Sequence, residues 1–171
     1  MLEIQPLSDA HERSEFNSGE VDLDRYLRET AGQHARRDLA RTFVLVDDEA
    51  PFGVLGYFTL TLCTAASSDL SADLARKLPR TLPGVKLGRL AVDRNHQNKG
   101  HGARLLMRAL RESVGIADRA GSYALFVDAK HSGVVPFYRA FGFIPLPSQK
   151  LVLFLPTAAI RRLVLTRNQL S

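Results

Sequence analysis

Residues 87–102 of the 171-residue chain read LGRLAVDRNHQNKGHG, and this stretch decides the fold because it joins a predicted strand to a predicted helix. The segment 87–92 is mostly apolar, which predicts a short buried strand. Beyond a polar loop, apolar side chains recur at helical spacing over 103–114, which predicts a helix with one buried face. Gly100 and Gly102 therefore stand where a strand leads into the N-terminus of a helix.

Such a junction can bind an anion. The first N–H groups of a helix lack intrahelical partners and lie at the positive end of the helix dipole. Glycine at positions 100 and 102 would let a phosphate approach the backbone closely. Two glycines can also simply relieve strain in a tight connection, so both interpretations stand on these residues alone. The dinucleotide-binding pattern Gly-x-Gly-x-x-Gly and the Walker pattern both fail to match.

The longer segment Gln97-Asn98-Lys99-Gly100-His101-Gly102 matches Gln/Arg-x-x-Gly-x-Gly/Ala. Through this pyrophosphate signature the chain resembles the GNAT superfamily of acetyltransferases. Residues 40–44, 87–93 and 127–130 further resemble the GNAT toxins of bacterial toxin–antitoxin pairs. The resemblance implies an α/β fold with a mixed central sheet flanked by helices, and acetyl-CoA as co-substrate. The length agrees with a single acetyltransferase domain over residues 1–171.

The resemblance assigns two groups of residues to acetyl-CoA. In the family, a splay in the central strand exposes backbone groups that bind the pantetheine amides and polarise the thioester carbonyl. That role falls on Leu90, Ala91 and Val92. The N–H groups of the following loop hold the pyrophosphate. The residues implied there are Gln97, Asn98, Lys99, Gly100, His101, Gly102 and Ala103.

The segment Phe137-Tyr138-Arg139-Ala140-Phe141-Gly142-Phe143 carries the candidate catalytic residue. By itself, a tyrosine between phenylalanines is typical of a core. The resemblance instead implies that Tyr138 is the general acid, or hydrogen-bond donor, to the departing thiolate. Because a thiol has a pKa near 8.5 and tyrosine one near 10, full proton transfer is slightly uphill. Gly133 and Pro136 depart from the helix formers that the family more often has in this helix.

The central strand lacks the glutamate that serves many GNAT enzymes as a general base. Arg89 occupies that neighbourhood, and no carboxylate lies between Lys86 and Val92. A general base is least necessary when the acceptor amine is already neutral at the working pH. An α-amine, with a pKa near 7.7–8.0, comes closer to this condition than the side chain of lysine, with a pKa near 10.4. This favours an α-amine as acceptor and agrees with aminoacyl-tRNA, which the toxin resemblance implies. Asp93, at the strand end, can cap the loop.

The formal net charge of +5 and the pI near 9.7 favour a polyanionic partner, although coenzyme A alone would also benefit. Arg36 and Arg37 fit a solvated helix end or an RNA contact. Arg89 can pair with Asp93 or Asp128, or it can contact the RNA 3′ end. The candidate RNA-binding residues are Arg36, Arg37, Arg76, Lys77, Arg80 and Arg89.

Composition argues against several classes of protein. Cys63 is the only cysteine, so no internal disulfide can form, and its apolar surroundings predict a core residue. No Cys/His/Asp cluster has zinc-binding spacing, so no metal is expected. No apolar run is long enough to span a membrane and no signal-peptide pattern is present, so we expect a cytoplasmic protein without a membrane partner.

The leading hypothesis is a toxin that acetylates the α-amine of aminoacyl-tRNA and thereby blocks translation. The resemblance implies a ribbon–helix–helix antitoxin as partner and leaves a homodimer open. The alternative is a GNAT enzyme for a small amine, peptide or antibiotic, which would not need the basic clusters. A third hypothesis, a non-catalytic acyl-CoA-binding regulator, is disfavoured by Tyr138.

Hydrophobic periodicity and turn residues predict the other elements. Further strands are predicted over residues 3–7, 41–47, 54–62, 123–128 and 151–155. Further helices are predicted from Val21, over 68–78, over 133–141 and from Thr157.

Overall fold

The computed structural model describes residues 1–169. The strands in this range are β1 (Leu2–Pro6), β2 (Arg41–Asp47), β3 (Gly56–Ala66), β4 (Thr81–Val92), β5 (Ala124–Asp128), β6 (Ile144–Pro145) and β7 (Val152–Pro156). The α-helices are α1 (Val21–Arg25), α2 (Ala31–Arg36), α3 (Ala72–Ala75), α4 (His101–Ala120), α5 (Val135–Arg139) and α6 (Thr157–Gln169). None of them is long and apolar enough to cross a membrane.

The strands of this described range form one seven-stranded sheet in the order β1-β2-β3-β4-β5-β7-β6. β1 pairs with β2, β2 with β3, and β7 with both β5 and β6, all antiparallel. β4 and β5 are parallel, and α4 makes the crossover between them. The predicted α/β fold with a mixed sheet flanked by helices is therefore confirmed.

The chain divides into two compact units, each made of two segments. The first unit comprises Met1–Thr61 and Gly88–Ala109, and the second comprises Leu62–Leu87 and the chain from Leu110 onward. Core residues of the first include Tyr26, Leu27, Val44, Val46 and Tyr57. Core residues of the second include Leu70, Leu82, Phe126, Leu146 and Phe154. The single domain over 1–171 stays a prediction, and its last two residues lie outside the described range.

The central strand begins earlier than predicted. β4 starts at Thr81 and includes Pro83 and Gly84, although proline and glycine predict the end of the preceding helix ahead of the strand. Pro83 is tolerated because its carbonyl, not its missing N–H, makes the bond: it accepts from the Tyr123 N–H at 2.8 Å. A Cβ on Gly84 would lie 2.7 Å from the Phe126 ring, so glycine lets the strand pack against that ring.

The helix predicted over 68–78 is also wrong in extent. It is reduced to a 3₁₀ turn, Ser67–Asp69, and the single turn of α3. Ser71 caps α3, since its hydroxyl accepts the Leu74 N–H at 3.4 Å. Leu70, between the two turns, has an extended backbone with φ −84° and ψ 177°, which interrupts the predicted helix.

The helix predicted from Val21 contains a π-helical turn, Tyr26–Thr30. The Ala31 N–H donates to the Tyr26 carbonyl, five residues earlier. The predicted apolar face is nevertheless buried, with Tyr26 5%, Leu27 0% and Ala31 1% exposed. Helical periodicity does not distinguish such a turn from a continuous α-helix, although π-turns occur often at functional sites.

Candidate active site

The parallel pairing of β4 with β5 stops before β4 ends. The paired residues run from Gly84 opposite Ala124 to Leu87 opposite Val127, whereas β4 continues to Val92. The segment Leu90–Val92, predicted to bind pantetheine, thus lies beyond this pairing. That is the arrangement in which a strand can offer backbone groups to an extended ligand.

Asp93 organises the loop that follows β4. Its carboxylate accepts the N–H of Asn95 at 3.0 Å, which caps the 3₁₀ turn Arg94–His96, and the N–H of Asn17 at 3.0 Å. The prediction that Asp93 caps the loop is confirmed. The carboxylate is therefore occupied by backbone N–H groups.

Gln97, the first residue of the pyrophosphate signature, braces the same loop. Its side-chain amide donates to the carbonyls of Ser18 and Val92, each at 2.9 Å. Through these two hydrogen bonds the side chain of Gln97 stabilises the conformation of the loop. Asn98 and Gly100 then take positive φ values of 63° and 82°, and Lys99 between them is exposed.

The loop ends at the N-terminus of α4. The first helical bond runs from the Arg104 N–H to the Gly100 carbonyl at 3.1 Å. The N–H groups of His101, Gly102 and Ala103 precede that bond, so they are the unsatisfied donors of a helix start. A Cβ on Gly100 would meet nothing within 4 Å. The space beside this backbone is open, as an approaching phosphate requires.

Residues further along α4 fix this terminus to the core. Leu105, Leu106, Ala109 and Leu110 are 0% exposed, which confirms the predicted apolar face. Burial, followed by the nearby cationic groups of His96, Lys99 and Arg104, lowers the pKa of His101. The side chain of His101 is therefore mostly uncharged at neutral pH.

Arg89 does not make either of the ion pairs considered from the sequence. Its guanidinium lies 3.6 Å from the centre of the Tyr26 ring, a cation–π contact. Asp128 instead pairs with Lys86 at 2.5 Å, and Asp93 caps the loop. The part of the central strand in which the resemblance leads us to expect a carboxylate thus holds a stacked guanidinium.

The partner of Arg89 was not foreseen. Tyr26 lies at the start of the π-helical turn, and its hydroxyl is 3.1 Å from Nδ1 of His34. The sequence signal for Tyr26 was only its place on the apolar face of a helix, which predicts burial but not a stacked arginine.

Tyr138 lies on α5 in the second unit and is 6% exposed. Its ring makes edge contacts with Phe137 at 5.1 Å and Phe143 at 5.7 Å between centroids. Burial raises the pKa of Tyr138 to about 12. Since a thiol has a pKa near 8.5, proton transfer to a thiolate is more uphill than the sequence suggests. The hydroxyl is suited to donating a hydrogen bond.

The helix that carries Tyr138 forms despite the unusual residues before it. A 3₁₀ turn, Ser132–Val134, precedes α5, and Pro136 lies in the first turn of the helix. There its missing N–H would have had no intrahelical partner. The Gly133 N–H donates to Nδ1 of His131 at 3.1 Å. Gly133 and Pro136 are thus compatible with a helix start.

Five of the six predicted RNA-binding cations are exposed, and the sixth, Arg89, is half-buried. In the first unit, α2 ends at Arg36 and Arg37 follows it; Arg36 makes an ion pair with Asp9 at 3.5 Å. In the second unit, Arg76 pairs with Asp73, and Lys77 and Arg80 complete the exposed group. Exposed ion pairs of this kind are worth little, so they leave the charges available to a polyanion.

The described residues contain no group of three or more His, Cys, Asp or Glu that could hold a metal ion. They instead combine a loop and helix N-terminus suited to phosphate with β4, which extends beyond its pairing with β5. The profile of the Acetyltransferase (GNAT) family matches residues 4–143. The chain belongs to the GNAT family. It is an acetyl-CoA-dependent N-acetyltransferase.

Two relatives place this GNAT enzyme within a narrower group. It is 35% identical over 158 residues to a tRNA-acetylating toxin of Mycobacterium tuberculosis, across 92% of this chain and 93% of that protein. A solved structure of AtaT complexed with acetyl-methionyl-tRNAfMet is 32% identical with a TM-score of 0.88, across 95% of this chain and 99% of that chain.

A second AtaT structure contains both an antitoxin and a cofactor. It is a tyrosine-to-phenylalanine mutant bound to the C-terminus of the antitoxin AtaR and to acetyl-CoA. Its TM-score is 0.81 and its identity 31%, across 95% of this chain and 97% of that chain. Together with the family match, this identifies acetyl-CoA as the co-substrate of the GNAT enzyme described here.

Proposed function

We propose that this GNAT enzyme is a toxin that transfers acetyl from acetyl-CoA to the α-amine of aminoacyl-tRNA and thereby inhibits translation. The observation that carries the proposal is Arg89, which stacks on Tyr26 in a strand segment that has no carboxylate between Lys86 and Val92. A site with a guanidinium in this position suits an acceptor whose amine loses its proton far more readily than a lysine side chain does and whose body is anionic. The likeness to tRNA-acetylating toxins covers nearly the whole chain.

Acetyl-CoA is held by backbone groups in this proposal. Leu90, Ala91 and Val92 bind pantetheine and polarise the thioester carbonyl. The segment Gln97–Ala103 holds the pyrophosphate, because the N–H groups at the start of α4 and the open side of Gly100 suit a phosphate. The whole described chain works as one acetyltransferase domain.

The reaction is a direct transfer. The neutral α-amine attacks the thioester carbonyl, the carbon–nitrogen bond forms and the carbon–sulfur bond breaks. Tyr138 donates a hydrogen bond to the departing thiolate, and the proton of the attacking amine leaves to water. The acetylated amine can no longer attack in peptide-bond formation, which accounts for toxicity.

Cationic side chains bind the acceptor RNA. Arg89 contacts the 3′ end, and the other five candidates, Arg36, Arg37, Arg76, Lys77 and Arg80, neutralise phosphates. Charged tRNA is a cytoplasmic substrate, so we place the enzyme there. A ribbon–helix–helix antitoxin restrains it, by analogy with the antitoxin-bound relative, and a homodimer would join two sets of these cations.

The test is acetyl transfer from radiolabelled acetyl-CoA to purified charged tRNA. We expect transfer to charged tRNA, none to uncharged tRNA, and a rate that falls as salt is added. Free amino acids and polyamines serve as competing acceptors. Transfer to them, but not to charged tRNA, would replace this proposal by the alternative of a small-amine GNAT enzyme.

A further inference from the structure

The guanidinium of Arg89 is held by an aromatic ring and not by a carboxylate. It lies 3.6 Å from the centre of the Tyr26 ring, and no hydrogen bond or ion pair joins it to any of the described residues 1–169. Its five N–H donors are therefore available to a ligand. A half-buried cation without an acidic partner is uncommon, because burial disfavours an unpaired charge. This arrangement points to a ligand that accepts hydrogen bonds.

A hydrogen bond restricts the orientation of that ring. The Tyr26 hydroxyl and Nδ1 of His34 are 3.1 Å apart, and the two rings meet edge to face with their centroids 5.5 Å apart. Tyr26 is 5% exposed and belongs to the core of the first unit, so its hydroxyl needs a partner there. His34 supplies that partner and thereby restricts rotation of the ring on which Arg89 lies.

The π-helical turn explains why His34 is within reach of Tyr26. His34 follows Tyr26 by eight residues, and in a continuous α-helix that spacing turns the second residue by about 80° from the first. The turn Tyr26–Thr30 accommodates an extra residue. His34 therefore comes near the position of the seventh residue of an α-helix, about 20° from Tyr26. The turn thus brings the two side chains to one face.

These three side chains lie in the same compact unit as the proposed acetyl-transfer strand. Arg89 directly precedes Leu90–Val92 in β4, the segment for which we propose the thioester contact. The acceptor must reach this segment, so it meets the cation beside it. An arginine that is held in place before binding loses less rotamer entropy than a mobile one when the acceptor binds.

We infer that Tyr26 and His34 are positioning residues, which hold the guanidinium of Arg89 in one orientation for the acceptor. The inference rests on the proposed function, because it concerns how the cation that we assign to the 3′ end of the acceptor is held. In this role neither residue touches the acceptor. Both act through Arg89, so their removal should weaken acceptor binding and leave the binding of acetyl-CoA unchanged.

The first test needs no acceptor, because NMR of the free protein reports on Arg89 directly. The ring current of Tyr26 should shift the Nε–H signal of Arg89, which is assigned as the signal missing from Arg89→Lys. His34→Ala removes the hydrogen bond and should move that signal toward those of the exposed arginines. His34→Asn retains an amide that can take the place of Nδ1 and should restore the shift. An unchanged signal in His34→Ala would show that packing alone holds the ring and would overturn the inference.

The second test separates binding from chemistry. His34→Ala and Tyr26→Phe, which keeps the ring, should each raise the KM for charged tRNA by about fivefold, as expected for the loss of one hydrogen bond. The kcat and the affinity for acetyl-CoA should stay close to those of the wild type. In the Arg89→Ala background neither change should have a further effect, because residues that act through one another are not additive. Additive losses would show that Tyr26 and His34 act independently of Arg89 and would contradict the assignment.

His11→Ala is the matched control. His11 is another hydrogen-bonded histidine of the first unit, and its Nδ1 accepts the Ser8 N–H at 2.9 Å. Its replacement should lower stability in thermal unfolding, as that of His34 should, without changing the KM for charged tRNA. The same rise of KM in both variants would indicate a general effect on the fold and would overturn the inference.

The two tests separate the failure of this inference from the failure of the proposed function. If His34→Ala moves the Arg89 signal but the wild type acetylates free amines and not charged tRNA, the positioning of Arg89 stands and the toxin proposal fails. If charged tRNA is acetylated but His34→Ala leaves both the Arg89 signal and the KM unchanged, the toxin proposal stands and the inference is overturned.

Discussion

Tyr138 combines a buried ring with a single polar atom, so its replacement by phenylalanine separates packing from chemistry. The ring packs against Phe137 and Phe143, and these contacts need no hydroxyl. Burial raises the pKa of Tyr138 to about 12. The residue therefore remains a neutral hydrogen-bond donor throughout the physiological range of pH.

We expect Tyr138→Phe to bind acetyl-CoA normally and to lower kcat by about 10²–10⁴-fold, the usual contribution of such a group. Calorimetry measures the binding, and single-turnover kinetics with charged tRNA measure the rate. Tyr123→Phe is the control, since Tyr123 is a partly buried tyrosine of the same unit outside the proposed site. A wild-type rate for Tyr138→Phe would show that the hydroxyl plays no part in catalysis and that Tyr138 contributes only packing.

The raised pKa of Tyr138 also predicts a loss of stability at high pH. Below about pH 10 the residue is protonated in both folded and unfolded states, so its contribution is intact. Between 10.0, the ordinary value, and about 12 the unfolded state ionises first. The free energy of unfolding should then fall by about 2–3 kcal/mol.

Denaturant unfolding of the wild type and of Tyr138→Phe at a series of alkaline pH values measures this effect. The variant lacks the ionising group and should lose less stability. Tyr57, whose pKa burial also raises, is common to both proteins and cancels in the comparison. Parallel losses in the two proteins would show that Tyr138 is not responsible.

The junction between β4 and α4 acts as one element. Asp93 and Gln97 bond to the backbone of residues 17, 18, 92 and 95 and so hold the loop. The buried face of α4 fixes the N-terminus toward which the loop leads. Gly100 stands between the two with φ +82° and open space beside it.

We expect Gly100→Ala to weaken acetyl-CoA binding by about tenfold or more, because the new methyl group occupies the approach of the phosphate and displaces its hydrogen bonds. Gly121→Ala is a matched control: its φ is +87° and a Cβ there also meets nothing within 4 Å. Both variants should cost about 1–2 kcal/mol of stability, from the left-handed backbone. Calorimetry and thermal unfolding separate the two effects, and equal affinities in the two variants would remove the loop from the site.

At the scale of the whole molecule, positive charge is the property that would attract an RNA acceptor. The chain has a formal charge of +5, and its candidate RNA-binding cations are exposed in both units, apart from the half-buried Arg89. Contacts between such cations and phosphates release counterions, so binding weakens as salt is added.

Replacing Arg76, Lys77 and Arg80 by alanine should raise the KM for charged tRNA and reduce the salt dependence of binding. Each lost phosphate contact should change the log–log slope by roughly 0.7–0.9. The affinity for acetyl-CoA should stay the same. A triple variant of Arg119, Arg161 and Arg162, which are exposed in the same unit, removes the same charge outside the proposed RNA-binding set.

Equal effects of the two triple variants on salt dependence would indicate that net charge, rather than this cluster, governs binding. A salt-independent reaction in the wild type would argue against a polyanionic acceptor altogether.

Local patterns predicted much of the fold. The bounds of β2 agree with its continuous apolar run, and Asp93 caps its turn as a short acceptor at a strand end should. The start of β4 could not be predicted in this way. Proline and glycine, here Pro83 and Gly84, locally predict a turn. The reason for a glycine inside β4 is its contact with the ring of Phe126, which is distant in sequence.

The amino-acid sequence by itself determined the acetyl-CoA signature of Gln97–Gly102, the absence of a carboxylate between Lys86 and Val92, and the presence of Tyr138. These features depend on residue type and spacing, which are local. Only the tertiary structure decided that Arg89 stacks on Tyr26 and that Lys86 pairs with Asp128. These contacts join residues far apart in the chain, and their energies depend on burial and distance, which no local pattern contains.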